Sequence, residues 1–555
     1  MRKVFALPFR CALFAGGVLA AGVLAPGTAS AQEVLLSDTE NYYEFLALQG
    51  LAERPYLNYR TLSDSTWKIT EGADHPWKDS LNNPVRELSD SVRFRIYGPE
   101  LFTSYNSAAP YGQNDGVLWQ GKGFNSSVSA GARLEAYGLE LTLKPTVAFS
   151  QNLAFDLVKP AYSGAAYEGK ASDYGYYGVK YIDAPQRFGD DPFFDYSWGD
   201  SEIRYTWKSL TAGFGTQLIW LGPAKINPII HSNNAPPYPK FDIGMRKTAV
   251  VLPKLGWYLG DFETRLWWGY LSESDWFDND SGNDHNMLTA FTISYAPSFF
   301  PGSVFGFHRT MLSKWNFWDY DFIVELFWPF MQETAGVDQR DQRASVSAQY
   351  TLPNSSFDLY FEWGRNDYSP STDMVIRYPF HTQGYTLGAT KKFTSKLFKL
   401  DGLVFIETTN LESSRDYEFL GATTFYAHHI ITQGYTNQGQ WLGSGMGTGG
   451  NSQTLGLKLF YSKGDTLLTF GRNNPDNDYV WYHGSVTGTK REQADAVRFN
   501  TDIFLSIQNN YRITNNLYLK FRGCFIQSRN SLYESSFKSI VSNSMQINTG
   551  LKFSF

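Results

Sequence analysis

The strongest constraint on this chain is the strict two-residue alternation in residues 544–555, S-M-Q-I-N-T-G-L-K-F-S-F. Met545, Ile547, Thr549, Leu551, Phe553 and Phe555 fall on one face, and Ser544, Gln546, Asn548, Gly550, Lys552 and Ser554 on the other. Side chains of a strand point alternately to opposite faces, so this segment is a strand with one apolar and one polar face. Such a strand suits a wall between lipid outside and a polar lumen inside, the arrangement of bacterial outer-membrane barrels. Phe553 and Phe555 are expected to form the signal read by the barrel assembly machinery.

Composition supports strands as the spanning elements. Aromatic residues make up 17% of the 555, with 49 Gly and 35 Tyr, as interfacial girdles and tight turns require. Mean hydropathy is −0.34. Beyond residue 31 no apolar run approaches the ~18 residues that a spanning helix needs. Residues 1–31 read as a signal peptide: Arg2, Lys3 and Arg10 are its basic region, residues 11–24 its apolar core, and Ala29-Ser30-Ala31 its cleavage site. Its removal leaves Cys524 alone, so neither an intramolecular disulfide nor a cysteine metal cluster is expected. The formal charge of −6 becomes more negative with the loss of those cations, which points away from nucleic acid as a partner.

Residues 32–90 are too irregular for spanning strands. Ser37-Asp38-Thr39-Glu40 has the form of a capping box and opens a helix that Gly50 stops. The segment is expected to be helical, folded at the periplasmic mouth or within the lumen. Residues 91–555 then repeat alternating strands, short turns and long polar loops. In the clearest hairpin Ala344, Val346, Ala348, Tyr350 and Leu352 face lipid, residues 353–356 turn, and Phe357, Leu359, Phe361 and Trp363 face lipid again. The opposite faces carry charge, as in Glu263, Arg265, Lys458, Lys520 and Arg522, which a dry core would not tolerate unpaired. The remaining length accommodates on the order of sixteen to twenty strands. The expected fold is therefore a large all-β, antiparallel transmembrane barrel in the outer membrane.

Residues 220–244, W-L-G-P-A-K-I-N-P-I-I-H-S-N-N-A-P-P-Y-P-K-F-D-I-G, break this pattern. Pro223, Pro228, Pro236, Pro237 and Pro239 remove ladder donors, so the run is an excursion into the lumen or over its mouth. Its Asn227, Ser232, Asn233 and Asn234 are expected chiefly to support the fold, with ligand contact as the alternative. This run resembles the Wzi capsule-assembly family, as do Asn114-Asp115-Gly116, Trp119-Gln120-Gly121, Gly123-Phe124-Asn125, residues 269–273 (G-Y-L-S-E) and residues 306–310 (G-F-H-R-T). Residues 360–367 and 43–59 resemble it more weakly. The resemblance implies a barrel of about eighteen strands, short periplasmic helices at its lower end, and binding of capsular polysaccharide at the cell surface.

Candidate carbohydrate contacts are Trp276, Trp315, Asn316, Trp318, Asp319 and Trp441, in or beside long loops. Indole faces stack on sugar C–H faces while Asn and Asp take hydroxyls; the competing reading is an interfacial tryptophan belt. Asp278, Asp280 and Asp284 alternate as in calcium loops but lack the downstream bidentate Glu, so a solvated acidic loop is the simpler reading and no metal or other cofactor is expected. No paired-His metal spacing or nucleophile elbow is present, which argues against an enzyme. The rival to a polysaccharide-binding protein is a passive porin for small solutes. A monomer is expected, with outer-membrane lipid around it.

Overall fold

The computed structural model describes residues 32–33, 38–81, 85–160, 171–316, 340–366, 372–414, 424–486, 499–534 and 540–554. The expected signal peptide, Ser37, Trp318, Asp319 and Phe555 lie outside them. Eighteen antiparallel staves close into one barrel. In order they are β1 (Val92–Asn106), β2 (Gly123–Ala136), β3 (Leu139–Leu143 with Thr146–Ser150), β4 (Phe193–Ser197 with Glu202–Trp207), β5 (Leu210–Gly215) and β6 (Lys240–Val251). Next come β7 (Tyr258–Ser272), β8 (His285–Pro297), β9 (Ser303–Lys314), β10 (Arg340–Leu352), β11 (Phe357–Asn366) and β12 (Gln383–Ser395). The last are β13 (Leu400–Asn410), β14 (Asn451–Tyr461), β15 (Gly464–Asn474), β16 (Thr501–Thr514), β17 (Leu517–Arg529) and β18 (Val541–Ser554).

The alternating terminal segment is β18, and it closes the barrel on β1 from Gln546↔Asn106 to Lys552↔Glu100. On the outer face of this seam Thr103 and Thr549 share a hydroxyl hydrogen bond of 2.7 Å, and on the inner face Lys552 pairs with Glu100 at 2.9 Å. A register shift between Tyr97 and Glu100 changes the phase of β1. Below it the even-numbered Val92, Phe94 and Ile96 belong to the outer face; above it the odd-numbered Leu101 and Tyr105 stand exposed while Ser104 and Asn106 are buried. The 344–363 hairpin has the expected facing, with Val346, Leu359 and Phe361 exposed and Ser345, Ser347, Tyr360 and Glu362 buried.

The inner wall is polar and paired. Arg204 binds Asp242 at 2.6 Å and Glu202 at 3.0 Å, and Arg265 binds Asp242 at 3.0 Å and Asp64 at 2.7 Å. Asp64 comes from the segment before β1, so the ladder of charges ties that segment to the wall.

That segment lies inside the short-turn end of the barrel. Among the described residues it contains one helix, Asp38–Ala47, which stops at Gly50 with φ +72°. Beyond the helix, through residue 81, the chain makes short ladders and turns rather than the further helices expected, because Pro55 and Pro76 interrupt any helical run. Tyr42 stacks on Trp77 with centroids 3.7 Å apart, and both pack against Phe460 of β14. The Trp77 indole N–H donates to the Tyr461 carbonyl at 2.8 Å, and the Arg512 guanidinium lies 3.7 Å from the Trp77 ring centre. Glu263 of β7 accepts the backbone N–H groups of Leu57, Asn58 and Tyr59 at 3.1, 2.8 and 3.0 Å.

Trp77→Ala removes a buried stack, a cation–π contact and an anchoring hydrogen bond together. Loss of about 3–5 kcal/mol is expected for an aromatic truncation of this kind. Residues 38–81 should become accessible to trypsin in the folded protein while heat-modifiable migration of the barrel on gels is retained.

Candidate functional site

The connections opposite the short turns are long, and several fold inward. Residues 216–239, between β5 and β6, enter the lumen as the proline run suggests. Ile219, Leu221, Ile229, Ile230 and Tyr238 form a core there with inward-facing Trp267 and with Phe425, Tyr426 and Leu442 of the 411–450 connection. Trp220-Leu221 pairs with Tyr59-Arg60, so the excursion and the N-terminal segment meet inside the barrel.

Wall carboxylates hold the excursion in place. Glu407 of β13 accepts the N–H groups of Lys225, Ile226 and Asn227 at 2.7, 3.1 and 2.8 Å. Glu362 of β11 accepts that of Ile229 at 3.3 Å. Tyr426 donates to the Ile229 carbonyl at 2.8 Å. His231 is buried between Tyr238 (2.7 Å) and the Ile219 carbonyl (3.1 Å), and burial lowers it to about 3, so it is neutral.

The four polar candidates of the excursion all make internal contacts. The Asn227 side-chain oxygen accepts from Ser444 at 2.9 Å and from Gln113. The Ser232 N–H donates to the Leu442 carbonyl at 2.8 Å. Asn234 accepts the Asn114 N–H at 3.0 Å and donates to the Trp441 carbonyl at 3.2 Å. The Asn233 carbonyl accepts the Gly116 N–H at 2.9 Å, and Gln440 donates to the Gly116 carbonyl at 3.2 Å. The side-chain oxygens of Asn114 and Asn233 are buried without a protein partner.

Trp441 is thereby brought beside these amides. Its half-buried ring packs edge-on against Tyr176 (5.5 Å) and tilted on Tyr426 (5.8 Å). A partly accessible indole is a surface on which sugar C–H faces can stack. Gln113 and Asn114 escaped notice as candidates because only the fold brings residues 113–116 to the excursion; the N-D-G turn was their single signal.

The other candidates lie elsewhere. Trp276 packs on Tyr174 at 5.2 Å and fills the space beside Gly189. Trp315 is 41% exposed, edge-on to Tyr270 at 4.8 Å; Tyr270 itself meets His285 at 4.7 Å. Tyr270 is on the outward face of β7, so Trp315 stands at the outer edge of the wall, with exposed Asn316 following it. Asp278 and Asp280 accept the N–H groups two residues onward, at 2.9 Å each, and no cluster of three metal-type ligands occurs among the described residues.

Buried acids also join the loops. Both Asp183 oxygens receive Ser274, from its N–H and its hydroxyl, at 2.6 Å each, linking the 151–192 and 273–284 connections. Burial pushes Asp183 up to about 6 against those donors, and Asp115 likewise. Asp476 and Asp478 are both raised by burial and, for Asp478, by its neighbour; Tyr176 donates to Asp476 at 2.7 Å and Ser413 to Asp478 at 2.8 Å.

Fold and site together define an outer-membrane β-barrel whose lumen is filled by its own chain. Residues 103–516 match the model of the capsule assembly protein Wzi family, and the chain belongs to that family. Among solved structures it is similar to Wzi of Escherichia coli, with 12% identity over 83% of this chain and 84% of that one and a TM-score of 0.52; that protein is described as an outer-membrane, carbohydrate-binding β-barrel involved in group 1 capsule assembly. OpdL of Pseudomonas aeruginosa (9% identity, 84% of this chain and 98% of that one) and OprB of Pseudomonas putida (12%, 83% and 94%) have TM-scores of only 0.38 and 0.37. The E. coli structure shows the shared fold. No curated protein sequence matches the chain. The chain is a protein of the bacterial outer membrane.

The raised Asp183 and Asp115 have a definite sign. Each is higher folded than unfolded, so its stabilising contribution is complete below about pH 4, falls as pH rises to about 6, and is flat above. Asp183 is fully buried, so a shift of this size is worth on the order of 2–3 kcal/mol. Urea midpoints of wild type should decline from pH 4 to 7, and Asp183→Asn should decline less.

Proposed function

We propose that this protein binds surface polysaccharide at the extracellular end of its barrel and helps assemble or attach a capsule, without catalysis. Membership of the Wzi family carries the reading. The half-buried Trp441, whose backbone carbonyl is held by Asn234, supports it as one contact. In this reading Trp276 and Trp315, with Asn316 and the residues Trp318 and Asp319, contribute secondary contacts along an extended polymer rather than walls of one pocket. Phe553 and Phe555 serve recognition by the assembly machinery, the protein acts as a monomer, and residues 32–90 close the periplasmic mouth.

Each aromatic–sugar contact is worth about 0.5–1.5 kcal/mol, so Trp441→Ala should weaken binding of short capsule oligosaccharides by about tenfold or less. Asn114→Ala combined with Asn233→Ala should weaken it further. Cell-attached polysaccharide should fall less than oligosaccharide affinity, since a polymer engages several sites. Unchanged affinity in correctly folded variants would place binding elsewhere on the loops.

A passive pore requires an open lumen, whereas here Ile219, Leu221, Ile229, Ile230 and Trp267 form a dry core across it. Planar-bilayer conductance of the intact protein should lie well below that of an open barrel of eighteen strands, and deletion of residues 38–81 should raise it. Large conductance in the intact protein would favour the porin.

A further inference from the structure

The wall has a defect on one side. β3 is interrupted at Lys144-Pro145, and its two halves pair separately, Leu139–Leu143 with the lower part of β4 and Thr146–Ser150 with the upper part. β4 is interrupted in turn at residues 198–201. β5 ends at Gly215, where the chain turns into the lumen, and β6 rejoins the wall at Lys240 opposite Gly215. Gly131 of β2 lets the Leu143 carbonyl press inward, since a Cβ there would lie 2.1 Å from that oxygen.

A cavity of about 590 Å³ lies along this defect. Leu134, Leu141, Leu143, Trp198, Ile203 and Phe214 line it, and all six are among the exposed outward side chains, between 38% and 58% accessible. Gly215, Thr216 and Pro239 also line it, the points where the excursion leaves and rejoins the wall. The cavity therefore opens outward, with the base of the excursion behind it.

Its height follows from the turns. Leu134, Leu141, Ile203 and Phe214 stand three to five residues from the turns at 137–138 and 208–209. At ~3.3 Å per residue and a tilt of ~40° this is on the order of 10 Å above the periplasmic rim, within an apolar band of about 25 Å. Exposed Tyr137, Tyr205 and Trp207 lie below it, as an interfacial girdle should.

We propose that this groove is a binding site for one acyl chain of a lipid in the periplasmic leaflet. The groove is continuous with the lipid-facing wall, and the surface it presents is mainly that of apolar side chains, although Arg133, Thr142, Ser201, Glu202 and Thr216 also line it. A chain seated there would fill the wall behind which the excursion is rooted. The site is independent of polysaccharide binding.

The test uses the full-length mature protein in vesicles of phosphatidylethanolamine and phosphatidylglycerol, doped with phosphatidylcholine carrying a diazirine midway along one acyl chain. After irradiation, peptides are mapped by mass spectrometry. Adducts at Leu141, Leu143, Ile203 and Phe214 should exceed severalfold those at Ile406 and Leu455, equally outward on the far side of the barrel. Ala132→Phe, which adds a ring to the lining, should erase the excess while Ile406 labelling and heat-modifiable migration stay unchanged. Uniform labelling around the wall would overturn the proposal. So would labelling of the groove residues below that of Ile406, which would mean that something other than lipid, such as a second copy of the chain, covers the groove.

Discussion

Everything inside this barrel depends on satisfying the backbone of chain that is not part of the wall. Irregular segments carry unpaired N–H and C=O groups, and burying them without partners costs more than the apolar contacts nearby return. The solution here is a set of inward carboxylates. Glu263 takes three consecutive N–H groups from the N-terminal segment, Glu407 takes three from the excursion, and Glu362 takes one more. Each stands on a stave, so the rigid closed sheet fixes where the irregular chain can lie. Hydrophobic packing adds to that placement: Ile229 and Ile230 join the core beside the anchored amides of residues 225–229.

The charge ladder around Asp242 plays a related part. Two arginines share one aspartate, and a third group, Asp64, is supplied by the N-terminal segment. Removal of any one member leaves the others unneutralised in a nearly dry space, so the cluster discriminates strongly between the native placement and alternatives. The outer connections use the same means with weaker acids. Asp183, Asp476 and Asp478 join neighbouring loops through hydroxyl and amide donors rather than through cations.

The wall was legible in the sequence wherever alternation was unbroken. Ala344 to Leu352, Phe262 to Tyr270 and Met545 to Phe553 have the facing their pattern dictates, because a one-residue slip would expose every charge to lipid. Pro223 to Pro239 announced a departure from the wall, since a missing N–H cannot serve a ladder. What alternation does not encode is the partner of an inward residue. Glu407 and Glu362 read as lumen-facing, yet nothing local specifies that their oxygens receive the amides of residues 225–229. The same gap separates Trp441 from Asn114, which meet only through the fold. Trp315 shows the converse: its loop-edge position fits both readings, and its edge-on contact with Tyr270 is compatible with either. Breaks within β3 and β4 escaped notice because their halves stay on one path and differ only in partner.

The two-residue ladder between Tyr59-Arg60 and Trp220-Leu221 also constrains how the molecule can be put together. One partner precedes β1 and the other lies between β5 and β6, yet they meet inside a cylinder sealed by β18 and β1. The excursion is tethered to the wall at both ends, by β5 and β6. The ladder therefore joins a segment that enters from the short-turn end to a loop that enters from the opposite one, and the two mouths of the barrel are linked through the chain that fills it.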